Sequence, residues 1–215
     1  MTIRAAYSDW ATTYDTDRNL TRDLDQVVTR NTLKARHVDN ILELGCGTGK
    51  NTLFLRGIAD RLCTFDFSDG MIRQAQAKIT SDNRNHPDNV LFIMADLSRN
   101  WPCTDQSVDL IVCNLVLEHI ADLAFIFAEA HRILVKDGYF FLCELHPFKQ
   151  YQGKKATFER GDQQIQIDAF VHHLSDFLDA AMANGFALEQ LREWWHETDS
   201  PTSPRLVSFM FKNDD

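Results

Sequence analysis

Short apolar runs alternate with amphipathic stretches along most of the chain, which is typical of strands and helices in turn. The predicted strands are Ile41–Leu44, Arg61–Phe67, Val90–Leu97, Leu110–Asn114 and Tyr139–His146. The third is apolar on both faces, as expected inside a parallel sheet. Amphipathic helices are predicted over residues 20–37, with an apolar side that includes Val27, over 71–80, and over 123–134, with Gly138 as a left-handed cap. This alternation predicts right-handed crossovers between parallel strands.

The C-terminal part departs from that alternation. Residues 148–171 contain a predicted hairpin: Ala156–Glu159, a turn at Arg160–Asp162, and Gln164–Asp168 with period-two alternation. A helix is predicted from His172 to a cap at Gly185, followed by two strands joined by a proline-containing loop, Leu188–Trp195 and Arg205–Phe211. A segment placed directly after a strand's carboxyl end lies over the ligand edge of a parallel sheet, so the hairpin is a candidate lid or a cover for an apolar patch.

A glycine-rich turn follows the first strand, at Glu43-Leu-Gly-Cys-Gly-Thr-Gly49. A strand that ends in alternating glycines and opens a helix is typical of a nucleotide-cofactor turn, because glycine permits positive φ angles and close approach of a ligand. The spacing is not that of the dinucleotide fingerprint, and no Lys-Ser or Lys-Thr follows as in a triphosphate loop. Glu43 favours a cationic group nearby, whereas a pyrophosphate would be repelled by it.

Composition narrows the class of protein. With 215 residues, 44% of them hydrophobic, the chain fits a single globular domain over residues 1–215. No apolar run approaches the ~20 residues that span a bilayer, and the N-terminus lacks a signal-peptide core. The formal charge of −9 argues against a protein that grips a phosphate backbone. Five scattered cysteines suit reduced thiols, so we expect a cytoplasmic protein without membrane attachment.

The glycine turn resembles motif I of the class I S-adenosylmethionine-dependent methyltransferases, E-x-G-x-G-x-G, and matches it completely. Further strings resemble the same family: Trp10-Ala-Thr-Thr-Tyr-Asp15, Asp66-Phe-Ser-Asp-Gly-Met-Ile72 and Ser107–Ile120. The resemblance covers nearly the whole chain and implies an α/β, Rossmann-like, doubly wound seven-stranded sheet. That sheet would be mostly parallel with an antiparallel C-terminal strand and helices on both faces. Residues 1–38 would form an N-terminal helical lid and 148–171 a substrate lid.

The resemblance also assigns a site for S-adenosylmethionine, which leaves as S-adenosylhomocysteine (SAH). Asp66 falls about 20 residues after the glycine turn, where a carboxylate reaches ribose hydroxyls in a βαβ unit. Asp96 ends the third strand and would accept from the adenine amine, and Asn114 would face the methionine part. The implied cofactor-binding residues are Tyr14, Glu43, Gly45, Gly47, Gly49, Asp66, Phe67, Met71, Asp96, Leu97 and Asn114. Tyr7 is a candidate lid residue, on one helix face with Trp10 and Tyr14, although these aromatics also fit a packing stripe.

The reaction so implied is in-line displacement at the methyl carbon by an N, O or C nucleophile of a small-molecule acceptor. A base is needed where the nucleophile arrives protonated. His146 and His173 (or His172) are candidates near the substrate mouth, and His119 is more often structural in this family. No metal site is expected, because no carboxylate or Cys completes these histidines at ligand spacing. The alternatives are an RNA or protein methyltransferase, a non-catalytic cofactor-binding protein and a nicotinamide-dependent oxidoreductase. A homodimer stays open.

Overall fold

The computed structural model describes residues 2–82, 89–153, 155–160 and 163–214. These residues form, in order, α1 (Ile3–Trp10), α2 (Leu20–Leu33), β1 (Val38–Leu44), α3 (Thr52–Leu55), β2 (Ala59–Asp66), α4 (Asp69–Ser81), β3 (Val90–Met94), β4 (Val108–Asn114), a 3-10 helix (Leu117–His119), α5 (Leu123–Ile133), β5 (Leu134–Leu145), α6 (Pro147–Tyr151), β6 (Thr157–Arg160), β7 (Gln163–Gln166), α7 (Leu174–Ala183), β8 (Phe186–Trp194) and β9 (Leu206–Asn213).

Seven strands make one sheet in the order β3-β2-β1-β4-β5-β9-β8. The first five are parallel, whereas β9 runs antiparallel to both β5 and β8. The predicted Rossmann-like sheet with an antiparallel C-terminal strand is therefore confirmed. The strand order reverses between β1 and β4, which is the point where doubly wound sheets bind ligands. β6 and β7 form a separate antiparallel pair, as the hairpin prediction requires, with Gly161 and Asp162 of its turn outside the described residues.

The sheet has one apolar core on each face, because successive side chains of a strand point to opposite sides. Leu42 and Leu44 of β1 pack in the core that includes α5 and α7. Ile41, which precedes Leu42 and points to the opposite face, packs with Val28 of α2 and Leu55 of α3. Glu43 shares the parity of Ile41, so its side chain enters the second face rather than the first.

The third strand corrects one prediction. β3 lies at the edge of the sheet, and Leu91 and Met94 are 59% and 57% exposed. An edge strand has a neighbour on one side only, so its apolar side chains are less completely covered than those of β1. The sequence predicts an interior strand here because the run lacks apolar–polar alternation. The sequence also predicts a polar, proline-containing loop over residues 81–89, and residues 83–88 of it lie outside the described residues.

Two helix predictions also change. α2 ends at Leu33 rather than near residue 37, and Val27 is 53% exposed while Asp25 and Thr29 of the same helix are buried. After α5 the left-handed residue is Asp137 (φ 61°) and not Gly138. Gly138 serves close packing instead, since a Cβ there would lie 2.8 Å from the Val135 carbonyl oxygen.

The N-terminal segment and the hairpin meet over the sheet. Ala6 and Trp10 of α1 form a small buried cluster with Ile167, which follows β7. α1 ends at Trp10, so Tyr14 lies in the turn that follows, yet its ring centroid is still 4.7 Å from that of Trp10. The two predicted lids are thus in contact, and their role as lids stays a prediction.

All five cysteines are free. In the described part of the chain, no helix combines the length and apolar character needed to cross a bilayer.

Candidate active site

A cavity of about 460 Å³ opens where β1, β2, β3 and β4 end. Tyr7 of α1 and Phe170 of the segment after the hairpin also line it. Parallel strands bring their carboxyl ends to one edge, so residues far apart in sequence meet here. Of the cofactor-binding residues expected from the sequence, the cavity wall includes Tyr14, Gly45, Gly47, Asp66, Phe67, Met71, Asp96, Leu97 and Asn114.

The glycine turn combines tight packing with open space. Gly45 has φ +68°, and a Cβ there would lie 2.3 Å from Val116 Cγ2, so a side chain is excluded by contact. Gly47 has φ +53° with no heavy atom within 4 Å of a Cβ position. Space beside a positive-φ backbone is what a closely approaching ligand requires. Gly49 does not line the cavity, because it packs against Ala75 of α4 with a Cβ position 3.0 Å from the Ala75 Cβ.

Asp66 fastens this turn to the end of β2. Its Oδ2 accepts the Gly47 N–H at 2.9 Å, and its Oδ1 accepts the Ser68 N–H at 2.8 Å. Burial raises the pKa of Asp66 to about 6, against the effect of these backbone donors. Each carboxylate oxygen has a second lone pair, so a fixed carboxylate here can also accept from neighbouring hydroxyls of a ligand.

Asp96 lies in the turn after β3. Its Oδ1 accepts from the Ser98 hydroxyl at 2.6 Å and from the Ser98 N–H at 3.0 Å. The hydroxyl bond holds the pKa of Asp96 below its ordinary value, so the group is a carboxylate at neutral pH. Oδ2 is left beside Arg99, at 3.6 Å from its Nε. Leu97 follows, with a buried side chain. Its backbone carbonyl oxygen accepts from the Trp101 indole N–H at 3.1 Å.

Asn114, at the end of β4, is oriented by α2. Its Nδ2 donates to Asp25 Oδ1 at 2.6 Å and to Thr29 Oγ1 at 2.7 Å. Asp25 also accepts from Asn51 Nδ2 at 2.9 Å, which ties α2 to the residue directly before α3. With both amide hydrogens used, Asn114 offers its Oδ1 acceptor to a ligand. Asp25 is not among the predicted site residues, because the pattern of α2 indicates only the apolar face of the helix.

Glu43 lies beneath the turn and does not line the cavity. It is buried, and its Oε2 accepts from the Thr52 hydroxyl at 2.6 Å. Burial raises the pKa of Glu43 from 4.5 to about 8. The group is therefore mostly neutral at pH 7, and its parity in β1 directs it away from the cavity, so a role for Glu43 in cofactor binding stays a prediction. What Glu43 does in the structure is join β1 to α3.

Glu43 should make the protein less stable as pH rises. Between pH 4.5 and 8 the folded state keeps a proton on Glu43 that the unfolded chain releases, so the free energy of unfolding falls through this window. Glu43→Gln keeps an acceptor for Thr52 and removes the titration. We expect urea unfolding to show that, between pH 5 and pH 8.5, the free energy of unfolding of the variant falls by roughly 2–4 kcal/mol less than that of the wild type. The exposed control Glu197→Gln should retain the wild-type slope, and parallel slopes for all three proteins would contradict the assignment.

The histidines predicted as bases lie away from the cavity. His146 caps α6: its Nδ1 accepts the Phe148 N–H at 3.1 Å, and its Nε2 lies 3.0 Å from Glu193 Oε1. His173 Nδ1 is 2.7 Å from the Tyr151 hydroxyl, and His172 Nε2 donates to backbone carbonyl oxygens. These local contacts hold the rings, none of the three histidines lines the first cavity, and their role as bases stays a prediction. Within the described ranges, no group of three or more His, Cys, Asp or Glu residues suits a metal ion.

His119 is the histidine that lines the cavity. Its Nδ1 lies 3.1 Å from the Asp168 carbonyl oxygen, and its Nε2 lies 2.7 Å from the Tyr7 hydroxyl. A carbonyl oxygen can only accept, so Nδ1 carries the proton and Nε2 accepts from Tyr7. Burial lowers the pKa of His119, which keeps the ring neutral. These two contacts of His119 link α1, the segment just after β4 and the segment after the hairpin. The sequence signal for His119 is its position just beyond the end of a strand.

Residues 42–142 match the family model of a methyltransferase domain. The malonyl-[acyl-carrier protein] O-methyltransferase of Yersinia pestis is 27% identical over 82% of this chain and 59% of that protein. Its counterpart from Xylella fastidiosa is 31% identical over 81% and 56%. The chain therefore spans less than two thirds of the length of these relatives. The solved DhpI–SAH complex has a TM-score of 0.74 at 20% identity, with 97% of this chain and 94% of that one covered, which shows a shared fold.

Proposed function

We propose that this chain, which carries a class I S-adenosylmethionine-dependent methyltransferase domain, methylates a small-molecule acceptor. The observation that carries the proposal is the cavity at the switch point of the sheet, where Gly47, Asp66 and Asn114 meet. Its volume of about 460 Å³ falls in the range of small-molecule pockets.

The polar groups of the cavity suit the successive parts of S-adenosylmethionine. Asp66 offers carboxylate oxygens to the ribose hydroxyls, and Asp96 offers its Oδ2 to the adenine amine. Met71 and Phe67 line the same wall and supply apolar surface for the base. Asn114 Oδ1 and the open space beside Gly47 suit the amino-acid end, whose ammonium needs an acceptor. Each assignment places a donor of the cofactor against an acceptor already fixed by the fold.

When bound, S-adenosylmethionine supplies a methyl group activated by its positive sulfur. The chain's residues then have to hold the acceptor in line with that methyl group and exclude water. Such alignment alone is worth ~7–11 kcal/mol. His119 and Tyr7 line the wall between the two predicted lids, where they orient an acceptor by hydrogen bonds. His119 Nε2 accepts from the Tyr7 hydroxyl, so a proton from an acceptor that arrives protonated would pass to the Tyr7 oxygen as Tyr7 gives its own proton to His119 Nε2.

Binding of the cofactor is the first test. At a ligand concentration of about one hundred times Kd, SAH should stabilise the protein by ~2.7 kcal/mol, which raises the melting temperature by about 5–10 °C. NADH and NADPH at equal concentration should leave it unchanged. A shift with a nicotinamide nucleotide and none with SAH would replace the proposal with an oxidoreductase. SAH binding without turnover on any acceptor would favour a cofactor-binding protein without catalysis.

A second candidate acceptor is an acyl chain on a carrier protein, favoured by the names of the two curated relatives. Transfer of a labelled methyl group to malonyl-carrier protein, compared with free small acids, separates it from the main proposal. We further propose a cytoplasmic enzyme that does not act on nucleic acid, consistent with the charge of −9. Labelled RNA in the same assay tests that exclusion.

A further inference from the structure

A second cavity of about 300 Å³ adjoins the first. The two share Tyr7, Tyr14 and Leu115 as lining residues, so these side chains form a common wall. Beyond that wall the second cavity is bordered by the segment after β5, at Lys149 and 155–157, and by Arg205 just before β9. This is the region between the two predicted lids and the methionine end of the proposed cofactor site.

The second cavity is rich in positive charge. Its described lining contains Arg22, Lys149, Lys155 and Arg205, against one carboxylate, Glu118. Arg22 is 8% exposed, and it donates to the backbone carbonyl oxygens of Tyr14 and Asp17. Its guanidinium carbon lies 3.9 Å from the centroid of the Tyr14 ring. Carbonyl dipoles and a ring face orient this cation without neutralising it, so its charge is available to an anion.

Lys149 and Arg205 share one acidic partner. Arg205 Nε donates to Asp199 Oδ2 at 2.8 Å, and Lys149 Nζ lies 3.4 Å from Asp199 Oδ1. Lys149 also donates to Ser203 Oγ at 2.8 Å, and Arg205 donates from Nη1 to Thr21 Oγ1 at 3.2 Å. Two cations fixed around one carboxylate leave one positive charge in excess. Their side chains are held in place before any ligand arrives, which lowers the entropic cost of binding one.

Glu118 offsets the positive charge of the second cavity only weakly. Its side chain is buried, and burial raises the pKa of the carboxyl group above its ordinary value. Gln150 Nε2 donates to Glu118 Oε2 at 3.5 Å, and His119 Nε2 lies 3.7 Å from its Oε1. The carboxyl group is thus directed toward the neutral side chains of Gln150 and His119 rather than toward the four cations.

We infer that the second cavity binds an anionic group, a carboxylate or a phosphate, of the methyl acceptor. The inference rests on the proposed function, since it takes the shared wall of Tyr7, Tyr14 and Leu115 as the boundary between cofactor and acceptor. Lys and Arg ammonium and guanidinium groups form the shortest and strongest hydrogen bonds with such anions. The acceptor's charged end is anchored there, and the atom to be methylated is directed across the wall toward the first cavity.

The test is anion binding to protein saturated with SAH, measured by isothermal titration calorimetry. The carboxylate probes are malonate and succinate, the phosphate probes are inorganic phosphate and glycerol 3-phosphate, and the neutral controls are dimethyl malonate and glycerol. We expect either the carboxylate probes or the phosphate probes to bind, which identifies the anionic group of the acceptor. The neutral controls should not bind. Affinity should fall as salt rises, because the contact is between charges.

Lys149→Gln should weaken anion binding about tenfold, the effect of losing one charge-assisted hydrogen bond, with SAH affinity unchanged. Lys155→Gln, at an exposed position, should weaken it in the same direction and provides a second variant if Lys149→Gln is unstable. Lys212→Gln is the matched control, since Lys212 pairs with Asp137 at the opposite end of the sheet. If SAH binds but no anion does, or if all three variants bind anions like the wild type, the inference is overturned. If SAH itself does not bind, the proposed function fails, and the inference fails with it.

Discussion

Asp66→Asn is expected to weaken SAH binding about a hundredfold while the protein stays folded. Hydrogen bonds to charged groups contribute about 1.5–3 kcal/mol each, and the variant replaces the charged acceptor proposed for two ribose hydroxyls with a neutral amide. In the wild type the two carboxylate oxygens accept from the backbone N–H groups of Gly47 and Ser68. The amide of the variant has only one oxygen, so its NH2 group faces one of these two donors and that hydrogen bond is lost. The glycine turn then loses one anchor, which adds to the loss of affinity. Isothermal titration calorimetry with SAH at pH 7.5 gives the ratio of the dissociation constants of variant and wild type.

Asp69→Asn is the matched control. Asp69 lies three residues further, in the first turn of α4, where it pairs with Arg73 on the surface. The change of charge is the same, so equal loss of affinity in both variants would assign the effect to net charge and contradict the role of Asp66. A pH series adds a second criterion. Because the pKa of Asp66 is about 6, wild-type affinity should fall as pH drops below 6, and Asp66→Asn should lose that dependence.

The strand ends could be predicted from sequence because they depend on backbone rules. A parallel sheet brings its carboxyl ends together whatever the side chains are, so Asp66, Asp96 and Asn114 were placed on one edge by counting strands. The wrong predictions concern features that depend on which elements pack against a segment in the folded chain. Nothing within Val90–Leu97 indicates that its strand would be the edge of the sheet, and Val27 is exposed because α2 uses Asp25 and Thr29 to meet Asn114.

The histidines show the same limit at the level of side chains. His146 follows β5 as predicted, but its ring is held between the α6 backbone and Glu193, a residue of β8 far along the chain. His119 reaches the cavity through Tyr7 and the Asp168 carbonyl, two partners that no local pattern connects. Which way a ring points depends on such long-range contacts. The basic lining of the second cavity was hidden for the same reason, since Arg22, Lys149 and Arg205 belong to three distant segments.

Gly47→Ala should reduce SAH affinity about ten- to a hundredfold, the effect of a methyl group placed in space that bound SAH would occupy. In the described structure no heavy atom lies within 4 Å of a Cβ at Gly47, and the residue lines the first cavity, so the added methyl group would take up cavity space. The backbone cost has to be separated from this effect, because φ is +53° and an alanine there is strained by ~1–2 kcal/mol.

Gly153→Ala separates the two effects. Gly153 also has a positive φ, +80°, and no described heavy atom within 4 Å of a Cβ, but it follows α6 and does not line the first cavity. Both variants should therefore lose similar stability in urea unfolding, and Gly47→Ala alone should lose SAH affinity. If both lose affinity, backbone strain transmitted through the fold explains the result. If neither does, the ligand does not approach the turn at Gly47, and the open space there has another purpose than holding the cofactor.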